Sequence, residues 1–133
     1  MHKANLRAQQ FLDKARRWSA ATQAGFEYSA DNGSAYYDYL NWRAAQELSF
    51  RMAPWKINFR AAYARYRFPW EPSDTSPALK RSMDQLDFTL RAERKIGAHF
   101  KIFAQGESSQ SLGSNASDHY RMNSASAGIE VDF

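Results

Sequence analysis

The 133-residue chain has no cysteine, which removes disulfide frameworks, thiol nucleophiles and most structural zinc sites together. It has no run of 18 or more apolar residues, so no transmembrane helix is available. A mean hydropathy of −0.70 excludes a helical membrane protein. It leaves a spanning β-barrel open, because only alternate residues of barrel strands face lipid. Glycine-rich phosphate loops are missing, since "DNGSA" and "LGSNAS" are turn chemistry. His2, His99 and His119 lie far apart and form no metal-ligand spacing, so no cofactor is expected. The opening "MHKANLRAQQFLDKARRWSA" has basic residues but no apolar core of a secretory signal. An exported form would be a mature chain or part of a longer precursor.

The charge is formally +4, from 18 Lys and Arg against 14 Asp and Glu. The basic residues stand singly along alternating segments and do not cluster, which argues against nucleic acid as a partner. At this length one domain is expected.

Residues 5–17, "NLRAQQFLDKARR", lack Gly and Pro and are rich in good helix formers, with Leu6, Gln9, Leu12 and Arg16 at helical spacing. The spacing predicts a short, weakly amphipathic helix, so residues 1–17 read as a helical lead-in and 18–133 as a β segment. From Trp18 the period becomes two. Trp18, Ala20, Thr22, Ala24, Phe26 and Tyr28 alternate with small or polar residues, and the turn signal "DNGS" follows. The next segment puts Leu40, Trp42, Ala44, Leu48, Phe50 and Met52 on one face. After "APW", Trp55, Ile57, Phe59, Ala61 and Tyr63 continue it, but Arg65 and Arg67 then fall on the apolar side. Either a β-bulge shifts the register near Ala64, or the strand has already left its apolar surroundings. Beyond a polar loop, "PWEPSDTSPALKRS", come Leu86, Phe88, Leu90, Ala92 and Ile96. Phe100, Ile102 and Ala104 follow, with Phe103 a misfit on the polar side. A last loop, "SQSLGSNASDH", leads to the closing strand. The expected fold is all-β: an antiparallel up-and-down meander of six long amphipathic strands after a short N-terminal helix.

Period two fits a soluble barrel with its apolar side in and a membrane barrel with its apolar side out. Four features favour the second. Segments of roughly 12 to 17 residues match or exceed the 9 to 11 that cross a bilayer at a tilt. Trp18, Trp42, Trp55, Tyr63 and Trp70 bound the apolar sets as an aromatic girdle would. The polar face is charged with both signs (Arg43, Glu47, Arg51, Lys56, Arg60, Arg91, Glu93 and Lys101), as a wet lumen requires. Short links alternate with long ones, as periplasmic turns do with outer loops. An even strand count would bring residues 1–17 and the carboxyl terminus to the same, periplasmic side.

The closing "SASAGIEVDF", apolar at each second position up to Phe133, resembles the C-terminal signature of bacterial outer-membrane β-barrel proteins. The resemblance implies that Phe133, Val131, Ile129 and Ala127 form the signal read by the barrel-assembly machinery. It also implies location in the outer membrane of a Gram-negative bacterium, with lipid and lipopolysaccharide as partners. The implied role is structural, or passive transport through a pore. Arg65 and Arg67 are the expected lipopolysaccharide contacts, as guanidinium groups pair bidentately with phosphates. Six strands are fewer than the eight of the smallest single-chain barrels, so further strands from an upstream region or from other subunits are expected. The alternative is a soluble lipocalin-like or fatty-acid-binding-like barrel holding an apolar ligand. Ser117, Asp118, His119 and Ser124 in "SDHYRMNS" are hydrolase residue types, but His119 and Ser124 fall on opposite faces of a strand. The chain is read as a non-enzyme.

Overall fold

The computed structural model describes residues 1–30, 38–74 and 76–131. Seven strands, β1 (His2–Phe11), β2 (Trp18–Ser29), β3 (Tyr39–Met52), β4 (Trp55–Ser73), β5 (Ser76–Lys95), β6 (Phe100–Gly113) and β7 (Tyr120–Val131), form one antiparallel sheet in the order β1 to β7. A single 3-10 turn, Ala116–Asp118, precedes β7. The β segment is therefore a meander, as its period implied. The "DNGS" turn, and Phe133 with its neighbour Asp132, lie outside the described residues.

The expected amino-terminal helix is not formed. Residues 2–11 are a strand paired along its whole length with β2, from His2 opposite Tyr28 to Phe11 opposite Ser19. Cross-strand pairing overrides the helix propensity of "NLRAQQ", whose scale spans less than about 1 kcal/mol per residue. Residues 12–17 are the turn into β2. There the Asp13 carboxylate accepts from the Trp18 amide at 2.8 Å and Arg16 takes a left-handed φ of 54°.

The seventh strand changes where the ends lie. β3–β4 and β5–β6 turn at one end of the sheet, through 53–54 and 96–99, and Val131 finishes there opposite Phe100. We call this the turn end. His2, opposite Tyr28, lies at the other, the hairpin end. The start of β1 and the end of β7 thus lie at opposite ends, and of residues 1–17 only the turn at 12–17 shares the end where β7 finishes.

The polar stretch between the third and fourth predicted strands is not a loop. β4 continues through it to Ser73 and β5 begins at Ser76, overreaching β3, whose last partner on β4 is Arg67. β6 likewise runs on through "GESSQSLG". The asymmetry of the two ends lies in strand overreach more than in loop length. Pro69 and Pro72 fall beyond the reach of β3, where a missing N–H costs no ladder bond on that edge. The register from Trp55 to Phe68 is unbroken and its first shift comes between Phe68 and Pro72, so no bulge occurs near Ala64. Arg65 and Arg67 stand on the same face as Trp55 and Tyr63 because the strand has left its apolar surroundings.

Register carries the faces across the sheet. One row runs Ala20, Leu48, Phe59, Leu90, Gly106, Ala125, and the same-face row on its turn-end side, from Trp18 through Phe50 and Ile57 to Ala127, is similarly apolar, while the row on its hairpin-end side also carries Gln46 and Asn123. Aromatic pairs in register close it at two levels: Trp18 on Phe50 at 4.6 Å between centroids, and Phe26 on Trp42 at 4.5 Å. The apolar belt spans residues 18–26 on β2, 42–52 on β3 and 55–63 on β4. Nine to eleven residues at about 3.3 Å each and a tilt near 45° cover roughly 21 to 26 Å.

Burial runs opposite to that of a water-soluble core. Among the described residues the buried hydrophobic ones are Ala20 and Ala21, whereas Glu27, Asn41, Ser49, Glu71 and Asp118 are buried, and Ser111, at 1% exposed, is the most enclosed of the buried polar residues. Trp42 is 56% exposed and Leu90 52%.

Candidate functional site: the polar face and its rim

All eight charged residues expected to share a polar face do so. Arg43, Glu47 and Arg51 of β3 alternate with the belt residues, as do Lys56 and Arg60 of β4, Arg91 and Glu93 of β5, and Lys101 of β6. Toward the turn end Arg91 is a node. Its Nε donates to Glu93 Oε1 at 2.6 Å, its Nη1 to Gln105 at 3.1 Å and its Nη2 to Glu130 at 2.5 Å, while Lys56 reaches Glu93 at 3.5 Å. One guanidinium thus connects side chains of β4, β5, β6 and β7.

The same node accounts for Phe103. Its ring lies 4.3 Å under the Arg91 guanidinium, a cation–π contact, and it faces Gly128 directly across the β6–β7 ladder. A Cβ at Gly128 would come within 2.9 Å of the ring, so the glycine leaves the space that the aromatic fills. Gly128→Leu is expected to displace the ring and cost about 1–3 kcal/mol by overpacking. Urea unfolding of the refolded chain measures it, and the double variant with Phe103→Ala should lose less than the sum of the two single changes.

Toward β1 the face is hollow. A cavity of about 490 Å³ is lined by Asn5 and Arg7 of β1, Gln23 of β2, Arg43 of β3, Arg60 of β4 and Asp87 of β5, over alanines 45, 62 and 64. Strands β1 and β5 are four spacings apart, about 19 Å if flat. Side chains from both line one hollow because the sheet curves toward its polar side. Arg43 reaches across β2 to donate to Asn5 Oδ1 at 2.6 Å, passing over Gly25, where any Cβ would collide with both. Arg7 lies 3.9 Å from Glu47. Asp87 accepts from Ser109 at 2.6 Å.

At the hairpin end the densest polar cluster is one that sequence reasoning missed. Arg81 donates to Asp118 through Nε at 2.9 Å and Nη2 at 2.5 Å, and to Glu71 through Nη1 at 2.6 Å, with its plane 4.6 Å over Phe68. The two carboxylate side chains are 4% and 8% exposed. Hydrogen bonds to Asp118, then to Glu71, raise the Arg81 pKa above its ordinary value. Gly113 leaves room for Asp118 against the backbone. The cluster fastens the overreaching β4–β5 hairpin to the β6–β7 connection. Its signal was hidden by the prolines, which read as a loop.

Arg65 and Arg67 stand on the belt side just beyond Tyr63. Arg65 is 3.7 Å from Asp84, which also accepts from the Tyr63 hydroxyl at 2.5 Å. Ser117, Asp118, His119 and Ser124 do not converge. Asp118 is held by Arg81, a His119 ring nitrogen bonds to the Gly113 carbonyl at 2.6 Å, and Ser124 donates to Glu107 at 3.4 Å. Val131, Ile129 and Ala127 occupy the belt face of β7, opposite Phe100, Ile102 and Ala104.

Compared with family models, with curated proteins and with solved structures, the chain finds no match.

Proposed function

We propose that this chain is a segment of an outer-membrane β-barrel, apolar belt in lipid and charged face toward a wet interior, with a structural or passive-pore role. The carrying observation is the inversion of burial: large apolar side chains form one exposed belt bounded by aromatics, while the enclosed positions, Ala20 and Ala21 aside, are polar. The slope of the belt supports it. From β2 to β7 its lower edge moves from the row of Trp18 to Val131, four residues below that row. Its upper edge drops six residues, from the row of Phe26 to Ala125. Over five strand steps this averages about one residue per step, so the belt is level when the strands tilt by roughly 35°, near the 35–45° of membrane barrels. In this reading the hairpin end faces outward, Arg65 and Arg67 meet lipopolysaccharide phosphates, and the end of β7 with Phe133 is the assembly signal.

The test is partitioning. Refolded from denaturant, the chain is expected to fold only with detergent or with phospholipid vesicles and to float with the vesicles. A detergent-free monomer that binds a fatty acid would establish the lipocalin-like alternative instead.

A further inference from the structure

The two free edges are alike in a way that determines what lies between them. In a seven-stranded meander β1 and β7 run in the same direction, both from the hairpin end to the turn end. All ten residues of β1 are exposed, and ten of the twelve in β7. Neither strand carries a proline or a register shift, two of the means by which an edge is blunted. Each therefore offers a full row of backbone donors and acceptors, and in lipid every unpaired group costs several kcal/mol.

Three closures are possible, and parity separates them. Joining β1 to β7 directly, within a chain or around a ring of copies, makes a parallel seam in an otherwise antiparallel sheet. A two-fold pair with β1 against β1 is antiparallel, but it inverts one copy relative to the other. In the register centred on Asn5 it also sets Lys3 of one copy directly opposite Arg7 of the second, a like-charge pair. An odd number of intervening strands makes every pairing antiparallel, and one is enough for the eight of the smallest barrels.

We propose that the gap takes one amphipathic strand running opposite to β1 and β7, apolar on the belt side, and joined to β1 at the hairpin end as β6 is joined to β7. This rests on the barrel reading, but its failure is visible separately, since edge cross-links report pairing whether or not the chain enters lipid. The chain has no cysteine, so introduced thiols are unique. Leu6→Cys and Ala127→Cys, both on the belt face, are placed together in the refolded full chain. One missing strand separates the edges by two spacings, about 10 Å. A bis-maleimide of that reach should couple the two within one chain, while oxidation should give no disulfide. An intrachain disulfide would establish direct closure and overturn the proposal. An interchain disulfide between positions 6 and 127 would establish a ring of copies and do the same, as would coupling only by a reagent of twice the reach. As a second measurement, a copy of residues 100–119 fused before His2 supplies one strand and its hairpin-end connection. It pairs both free edges, so it should raise the urea midpoint of the chain folded in vesicles; an unchanged midpoint would overturn the proposal.

Discussion

Leu90→Arg is expected to cost about 2–4 kcal/mol when the chain is folded in phospholipid vesicles, as an arginine at the bilayer midplane of a barrel does. Were Leu90 to face water instead, the same change would cost no more than about 0.5 kcal/mol, because an exposed site tolerates most substitutions. Leu90 is chosen by level. It pairs with Phe59, midway between Trp55 and Tyr63, and the facing Gly106 leaves open space beside it. Leu112→Arg is the depth control. That leucine is on the same face and similarly exposed, but it pairs with Asp84, beyond the belt. Its cost should be no more than about 1 kcal/mol in vesicles. Urea titrations followed by tryptophan emission measure both. Equal costs at the two positions would mean that no depth gradient exists and that the belt faces something other than a bilayer.

The face assignment on which that prediction depends was legible because period two is a local property. From Trp18 to Met52, a reader who counts alternate residues recovers both faces without knowing a single contact. β1 escaped for the opposite reason. Its belt residues, Ala4, Leu6 and Ala8, are small or helix-favouring, and the alternation they make is too faint to outweigh propensity. What makes that segment a strand is β2 beside it and the Arg43–Asn5 bond over Gly25, none of which is local. Phe103 shows a third case. Its oddity on the polar side was visible, but its cause, a glycine 25 positions later in register and an arginine above, appears once the ladders are known. The eight charges of the polar face were found by alternation alone. Their division into a node around Arg91 and a hollow lined by Arg43 and Arg60, with Arg7 of β1 added, required the curvature.

The hairpin-end cluster gives the other large effect, and it is a local one. Arg81→Met leaves Glu71 and Asp118 enclosed and facing each other without their shared cation. Removing one partner of a buried ion pair costs about 3–5 kcal/mol, because the charge left behind has lost its hydration. Arg81 itself is about a quarter exposed, which places the expected cost at the lower figure, about 3 kcal/mol. Beyond Arg67 the hairpin no longer pairs with β3, and the clamp on Asp118 connects it to the neighbouring connection. Opening should therefore be confined to residues 69–81 and 114–119. Chymotryptic cleavage at Trp70 and Leu79 should accelerate, and amide exchange should rise across the hairpin tip, while exchange around Leu90 stays unchanged. Adding Glu71→Gln and Asp118→Asn to Arg81→Met removes the stranded charges and should restore most of the protection, as replacing a whole buried ionic group often does. If the triple variant opens as readily as Arg81→Met alone, the two carboxylates are not what the arginine neutralises, and the hairpin is held by the Phe68 stacking instead.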